Sequence, residues 1–137
     1  MKRLAFPALG LALACGTTAT SDPGPLGAFY KPSGVAVEAG NLLVASSNFD
    51  LQYGLDDGGT VISVNPGVSP AHLVSGVRIA SYSGEMAVAR AKSGAGADDC
   101  GASGLLAESV AVVAARSTQT LFPVAIGANG TLRCDGC

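Results

Sequence analysis

Tryptophan is absent, histidine occurs once, and aromatic residues make up only 5 % of the chain. Charged residues are scarce too, at 13 % of 137 positions. With one imidazole, general-base chemistry has a single obvious candidate, His72. It follows Ser69, Pro70 and Ala71 in a turn and is read as a surface loop residue. No G-x-S-x-G elbow supplies a nucleophile for it. Eight basic residues against ten acidic ones form no cationic surface for phosphates, so nucleic acid is not an expected partner. No phosphate-binding glycine loop or dinucleotide fingerprint occurs, and no cofactor is expected. No apolar run reaches the about 20 residues that cross a bilayer as a helix. Low charge combined with 48 % apolar residues excludes a wholly disordered chain.

What is present begins with an address. Met1, Lys2 and Arg3 make a cationic start, and residues 4–14 are an uncharged apolar run of eleven residues ending at Cys15. This is the grammar of a secretory signal. Leu11, Ala12, Leu13, Ala14 and Cys15 resemble a bacterial lipobox, with Ala12 departing from the Leu, Val or Ile of the strict pattern. The resemblance implies a lipoprotein signal peptide over 1–14, cleavage before Cys15 and a lipid on that cysteine. Gly16 in place of Asp after Cys15 implies passage to the outer membrane. The expected location is therefore the bacterial cell envelope, with the membrane as partner through the lipid. Loss of Lys2 and Arg3 leaves six bases against ten acids, a net charge of −4. Residues 15–32, rich in Thr, Ser, Gly and Pro, read as a flexible tether.

The body, residues 33–137, is written in short β-branched runs separated by glycine, asparagine and aspartate. Strands are expected at 34–38, 42–46, 60–64, 73–80, 85–89, 109–115, 120–126 and 131–133, joined by hairpin signals such as Gly40-Asn41 and Asn129-Gly130. Residues 105–116 also fit one helical face, but Val110, Val112 and Val113 favour a strand from 109. Residues 92–104 read as an exposed insertion. Phe29, Tyr30, Phe49, Tyr53, Tyr82 and Phe122 are expected as core and rim aromatics. The fold class is all-β.

A loose repeat relates 34–64 to 84–126. In the first copy, Pro32, Gly34, Val35, Ala36 and Val37, then Gly40, Asn41, Leu42, Val44, Ala45 and Asn48, resemble an NHL/YVTN-type β-propeller repeat. The stretch 29–66 is similar to the first blade of secreted bacterial propeller lipoproteins. The resemblance implies antiparallel strands forming about two blades of a partial propeller. A closed propeller uses four to eight blades, so residues 33–137 are expected to be incomplete, a fragment of a longer protein. By the same analogy the expected function is a binding or scaffold module, with an unknown protein or ligand at the propeller loops. The enzymatic alternative is a portion of a lactonase-like hydrolase with a metal in the channel. Asn48, Asp50 and Asp57 are then the available oxygen ligands. Solvated turn acids are the competing reading of Asp50, Asp56 and Asp57.

Four cysteines stand at 15, 100, 134 and 137. With Cys15 lipidated, three remain, and an oxidising compartment favours a disulfide of Cys100 with Cys134 or Cys137. The alternatives are a functional Cys134-x-x-Cys137 pair and a partner cysteine beyond residue 137.

Overall fold

The computed structural model describes residues 23–90 and 109–134. The expected signal peptide over 1–14, Cys15, the expected insertion at 92–104, Cys100 and Cys137 lie outside them. The described residues contain eight strands and no helix. These are β1 (Pro32–Glu38), β2 (Asn41–Ser46), β3 (Gly59–Asn65), β4 (His72–Ile79), β5 (Ser83–Arg90), β6 (Ser109–Ala115), β7 (Thr120–Ile126) and β8 (Leu132–Arg133). Each expected strand is present, and the ambiguous stretch is a strand from Ser109. Three valines and three alanines fill β6, and branched side chains keep more χ1 freedom on a pleat than against a helical turn.

Turn chemistry sets the hairpins. Ala39 and Gly40 both have positive φ, 50° and 74°, as a two-residue turn with the twist of its flanking strands requires. The result is a pair of antiparallel four-stranded sheets, ordered β1-β2-β3-β4 and β5-β6-β7-β8. Sequential antiparallel strands in fours are the make-up of propeller blades, and the fold is all-β and propeller-like.

The two sheets repeat one register. In the first, Val35 pairs with Val44 and Val37 with Leu42; Val44 then faces Ile62 and Leu42 faces Val64. In the second, Met86 pairs with Val113 and Val88 with Ala111; Val113 faces Phe122 and Ala111 faces Val124. A β-bulge opens the first strand of each sheet. Each bulge is preceded by a left-handed residue, Lys31 (φ 47°) or Tyr82 (φ 55°). Each of their carbonyls takes a backbone N–H from just beyond the second strand, Ser47 at 3.1 Å and Arg116 at 3.3 Å.

The core lies between the sheets. Leu43, Ala45, Val61 and Ile79 of the first pack against Ala111, Val113, Ala115, Phe122, Val124 and Ile126 of the second. Gly34 lets β1 approach β5, because a Cβ there would stand 2.5 Å from the Gly84 carbonyl oxygen. The outer strands are stitched by Leu132 N, which donates to Ser75 Oγ at 3.0 Å.

The end of the expected tether is held rather than free. Gly24 N donates to Asp57 O at 3.1 Å, and Arg78 Nε donates to Gly24 O at 3.1 Å. Leu26 lies over Gly76, and the Tyr30 hydroxyl donates to Gly58 O. Small polar composition marked this stretch as unstructured, but Leu26 and Tyr30 supply the apolar area that a glycine-floored sheet face accepts.

Candidate functional site

At the end where β1 and β5 begin, the two sheets part into an open cleft of about 480 Å³. Its walls include Ser47, Phe49, Tyr82, Glu85 and Arg116. Backbone hydrogen bonds cross beneath it in series. Ser47 N donates to Lys31 O, Tyr82 N to Ser47 O at 2.6 Å, and Arg116 N to Tyr82 O. Side chains reinforce the seam: Ser83 Oγ donates to Ser46 O at 3.0 Å, and Ser117 Oγ donates to Ser81 O at 2.7 Å. The floor therefore belongs to both sheets, and its backbone groups are paired.

One rim is the loop between β2 and β3, and Asn48 organises it. This side chain is fully buried. Its Nδ2 donates to Tyr53 O at 3.1 Å, Gly54 O at 3.2 Å and Ser81 Oγ at 2.7 Å. Its Oδ1 accepts Tyr53 N at 3.0 Å. Asn48 has φ 49°, a left-handed conformation that asparagine tolerates better than most residues. Gly58 closes the loop where a side chain would meet Gly54 O, the Asn48 amide and Ser81 Oγ. Above this network Phe49 stands 72 % exposed, its ring edge-on to Tyr82 with centroids 5.9 Å apart. Arg116 and Glu85 put one charge of each sign at the mouth.

The residues expected as metal ligands each make a contact within the protein. The Asn48 amide is committed to its own loop and to Ser81. The Asp50 carboxylate faces Lys31 Nζ at 3.6 Å. Asp57 contributes its backbone carbonyl to Gly24 N. Among the described residues no group of three or more His, Cys, Asp or Glu is placed to hold a metal ion. His72 is exposed at the start of β4, opposite Asn65. Cys134, directly after β8, is disulfide-bonded. The other cysteines all lie outside the described residues, so its partner does too.

A second polar feature lies at the opposite end of the inter-sheet seam. Glu38 ends β1 with its side chain 9 % exposed. It accepts Ser109 Oγ at 2.8 Å and Arg90 Nε at 3.1 Å. The Ser109 hydrogen bond, then Arg90, hold its carboxyl below the usual range against the opposing effect of burial.

Sequence reasoning placed Phe49 and Tyr82 among the aromatics without joining them, and did not single out Ser47 or Arg116. The signal that could have joined them is the repeat: Tyr82 occupies in the second sheet the place of Lys31 in the first.

No protein-family model matches the chain, and no curated protein or solved structure matches it.

Proposed function

We propose that this chain is a lipid-anchored cell-envelope module of NHL-type β-propeller character, which binds a partner at the cleft between its two sheets. The observation that carries the binding reading is the cleft itself. An exposed aromatic side chain and two charges of opposite sign stand over a floor whose backbone is paired. A concave site with a few convergent polar groups on a rigid scaffold is the usual form of a recognition site. The lipobox-like run ending at Cys15 supports the anchor, and the register repeat supports the propeller character. A binding role fits better than hydrolysis because Asn48, the most buried of the expected ligands, is spent on holding the loop.

Two measurements test this. Mass spectrometry of the mature N-terminus is expected to find an acylated Cys15, with the protein in the outer-membrane fraction. An unmodified Cys15 defeats the anchor. A photo-crosslinking residue at position 49 is expected to give a discrete adduct in cells, while the same residue at Val68, in the β3–β4 connection, gives none. Equal labelling from both positions defeats the cleft as the binding site.

A further inference from the structure

The register repeat has a consequence for the outer faces of the two sheets. Matching Lys31 to Tyr82 makes Val35 and Val37 equivalent to Met86 and Val88, and Val44 and Ile62 to Val113 and Phe122. In the second sheet these positions face the first sheet and lie in or against the core. In the first sheet they lie on the outer side, where Val35 is 62 % and Val37 70 % exposed while Val44 and Ile62 are buried. The converse also holds. Leu43, Ala45 and Val61 of the first sheet are fully buried against the second. Their equivalents Val112, Ala114 and Leu121 form the second sheet's free face, where Leu121 is 64 % exposed. Both halves of the internal interface thus have counterparts on the outer sides, open on β1 of the first sheet and at Leu121 of the second.

We propose that these two free faces pair head to tail between copies of this chain, the second sheet of one copy seating on the first sheet of the next. The contact is a continuation of the stacking already present between the two sheets. Because it joins different surfaces it is heterologous, giving a closed ring when the rotation closes and an open stack otherwise. Three observations favour a second copy as the occupant. The faces are complementary by the same residue pairing that packs the internal interface. The buried Glu38 carboxylate has no counterpart that stacking would strand: Ala89 stands where Glu38 stands in the first sheet, and Gly40 where Ser109 stands in the second. Finally, the segment carrying Leu26 and Phe29 lies over the first sheet's outer side near Ile62, Val64 and Gly76. It leaves Val35 and Val37 open on β1, and β1 and β5 are the strands that bring the two sheets together internally.

The inference rests on the propeller-type reading, but its test reads mass rather than acylation or adducts at position 49, so the two can fail separately. The full chain, purified in detergent, is examined by sedimentation in density-matched buffer. The wild type is expected to assemble with rising concentration. Val37→Glu and Leu121→Glu, both at exposed positions, are each expected to sediment as one copy while unfolding at the wild-type urea midpoint. Mixed together they are expected to form a one-to-one pair, because each retains the face that the other has lost. Ala87→Glu replaces Leu121→Glu should the latter fail to fold. A wild type that stays monomeric overturns the proposal. So does a charge variant that still assembles, since that result means that like faces pair with like, or a mixture that stays monomeric.

Discussion

Glu38, at the end of β1, accepts a hydrogen bond from Arg90 Nε, at the end of β5, so one carboxylate ties together the first strands of the two sheets. Ser109 Oγ completes the clasp from β6. The partners contribute unequally. Arg90 is largely exposed, and an exposed ion pair contributes only about 0–1 kcal/mol. Ser109 is buried with the carboxylate, where a missing donor leaves an acceptor unsatisfied at about 1–3 kcal/mol. Ser109→Ala is therefore expected to lower the urea unfolding midpoint more than Arg90→Ala, and a larger loss from Arg90→Ala refutes this ordering.

The same clasp predicts the pH dependence. The folded-state pKa of Glu38 is lowered, so the folded protein holds the charged form more tightly than the unfolded chain does. Its contribution to stability is fully present above the unfolded-state pKa. It is lost as pH falls through the unfolded and then the lowered folded value. Glu38→Gln is expected to be less stable than wild type at neutral pH, with the gap closing in acid. A gap independent of pH indicates that the carboxylate's charge has no part in the clasp.

Asn48→Ala removes an amide that serves two acceptors and one donor in the loop between β2 and β3, and a third acceptor, Ser81 Oγ, between β4 and β5. With Tyr53 N and Gly54 O losing their Asn48 partner, a destabilisation of about 2–3 kcal/mol is expected, at the upper end for a buried polar deletion. The amides of that loop should lose hydrogen-exchange protection before those of β2 and β3. Asn48→Asp separates the structural role from a metal-ligand role, because aspartate keeps an oxygen but loses the donor. It is expected to be as damaging as alanine. A stable Asn48→Asp variant removes the case for amide donation.

Most of the fold was legible because strand and turn are written locally. The run Val35, Ala36, Val37 followed by Ala39 and Gly40 names a strand and its hairpin within six residues. What links the sheets was not legible, because its information lies far apart in the chain. Glu38 meets Ser109 across 71 positions, and neither residue type marks a partner. Asn48 was legible as special, but the protein groups it holds were not. Acidic neighbours suggested a metal, whereas Ser81, 33 positions away, is what the amide reaches. The segment before β1 was misjudged because composition records its small polar residues but not that Gly76 leaves a bare patch of sheet for Leu26.

That segment gives a further expectation. Tyr30 anchors it through its hydroxyl to Gly58 O and through its ring, edge-on to Tyr53 with centroids 5.0 Å apart. Tyr30→Phe keeps the ring and loses the hydrogen bond, for about 1 kcal/mol. Tyr30→Ala loses both and is expected to free residues 23–30 for cleavage by a nonspecific protease while the sheets stay intact. If the segment is equally resistant in Tyr30→Ala, Arg78 and Leu26 hold it without the tyrosine.

At the cleft, Phe49 and Arg116 offer a test in which binding and stability separate. Phe49 is mostly exposed and touches Tyr82 by an edge contact, so its removal creates no core cavity. Arg116 contributes its backbone N–H to the seam, and that group survives any side-chain substitution except proline. Phe49→Ala and Arg116→Ala are therefore each expected to leave stability within about 0.5 kcal/mol of wild type, as surface substitutions do. If the cleft is the recognition site, Arg116→Ala should abolish the adduct formed from position 49, because it removes the one cation at the mouth. An undiminished adduct from a folded Arg116→Ala protein would show that the charge takes no part and that contact at position 49 is with the aromatic rim alone.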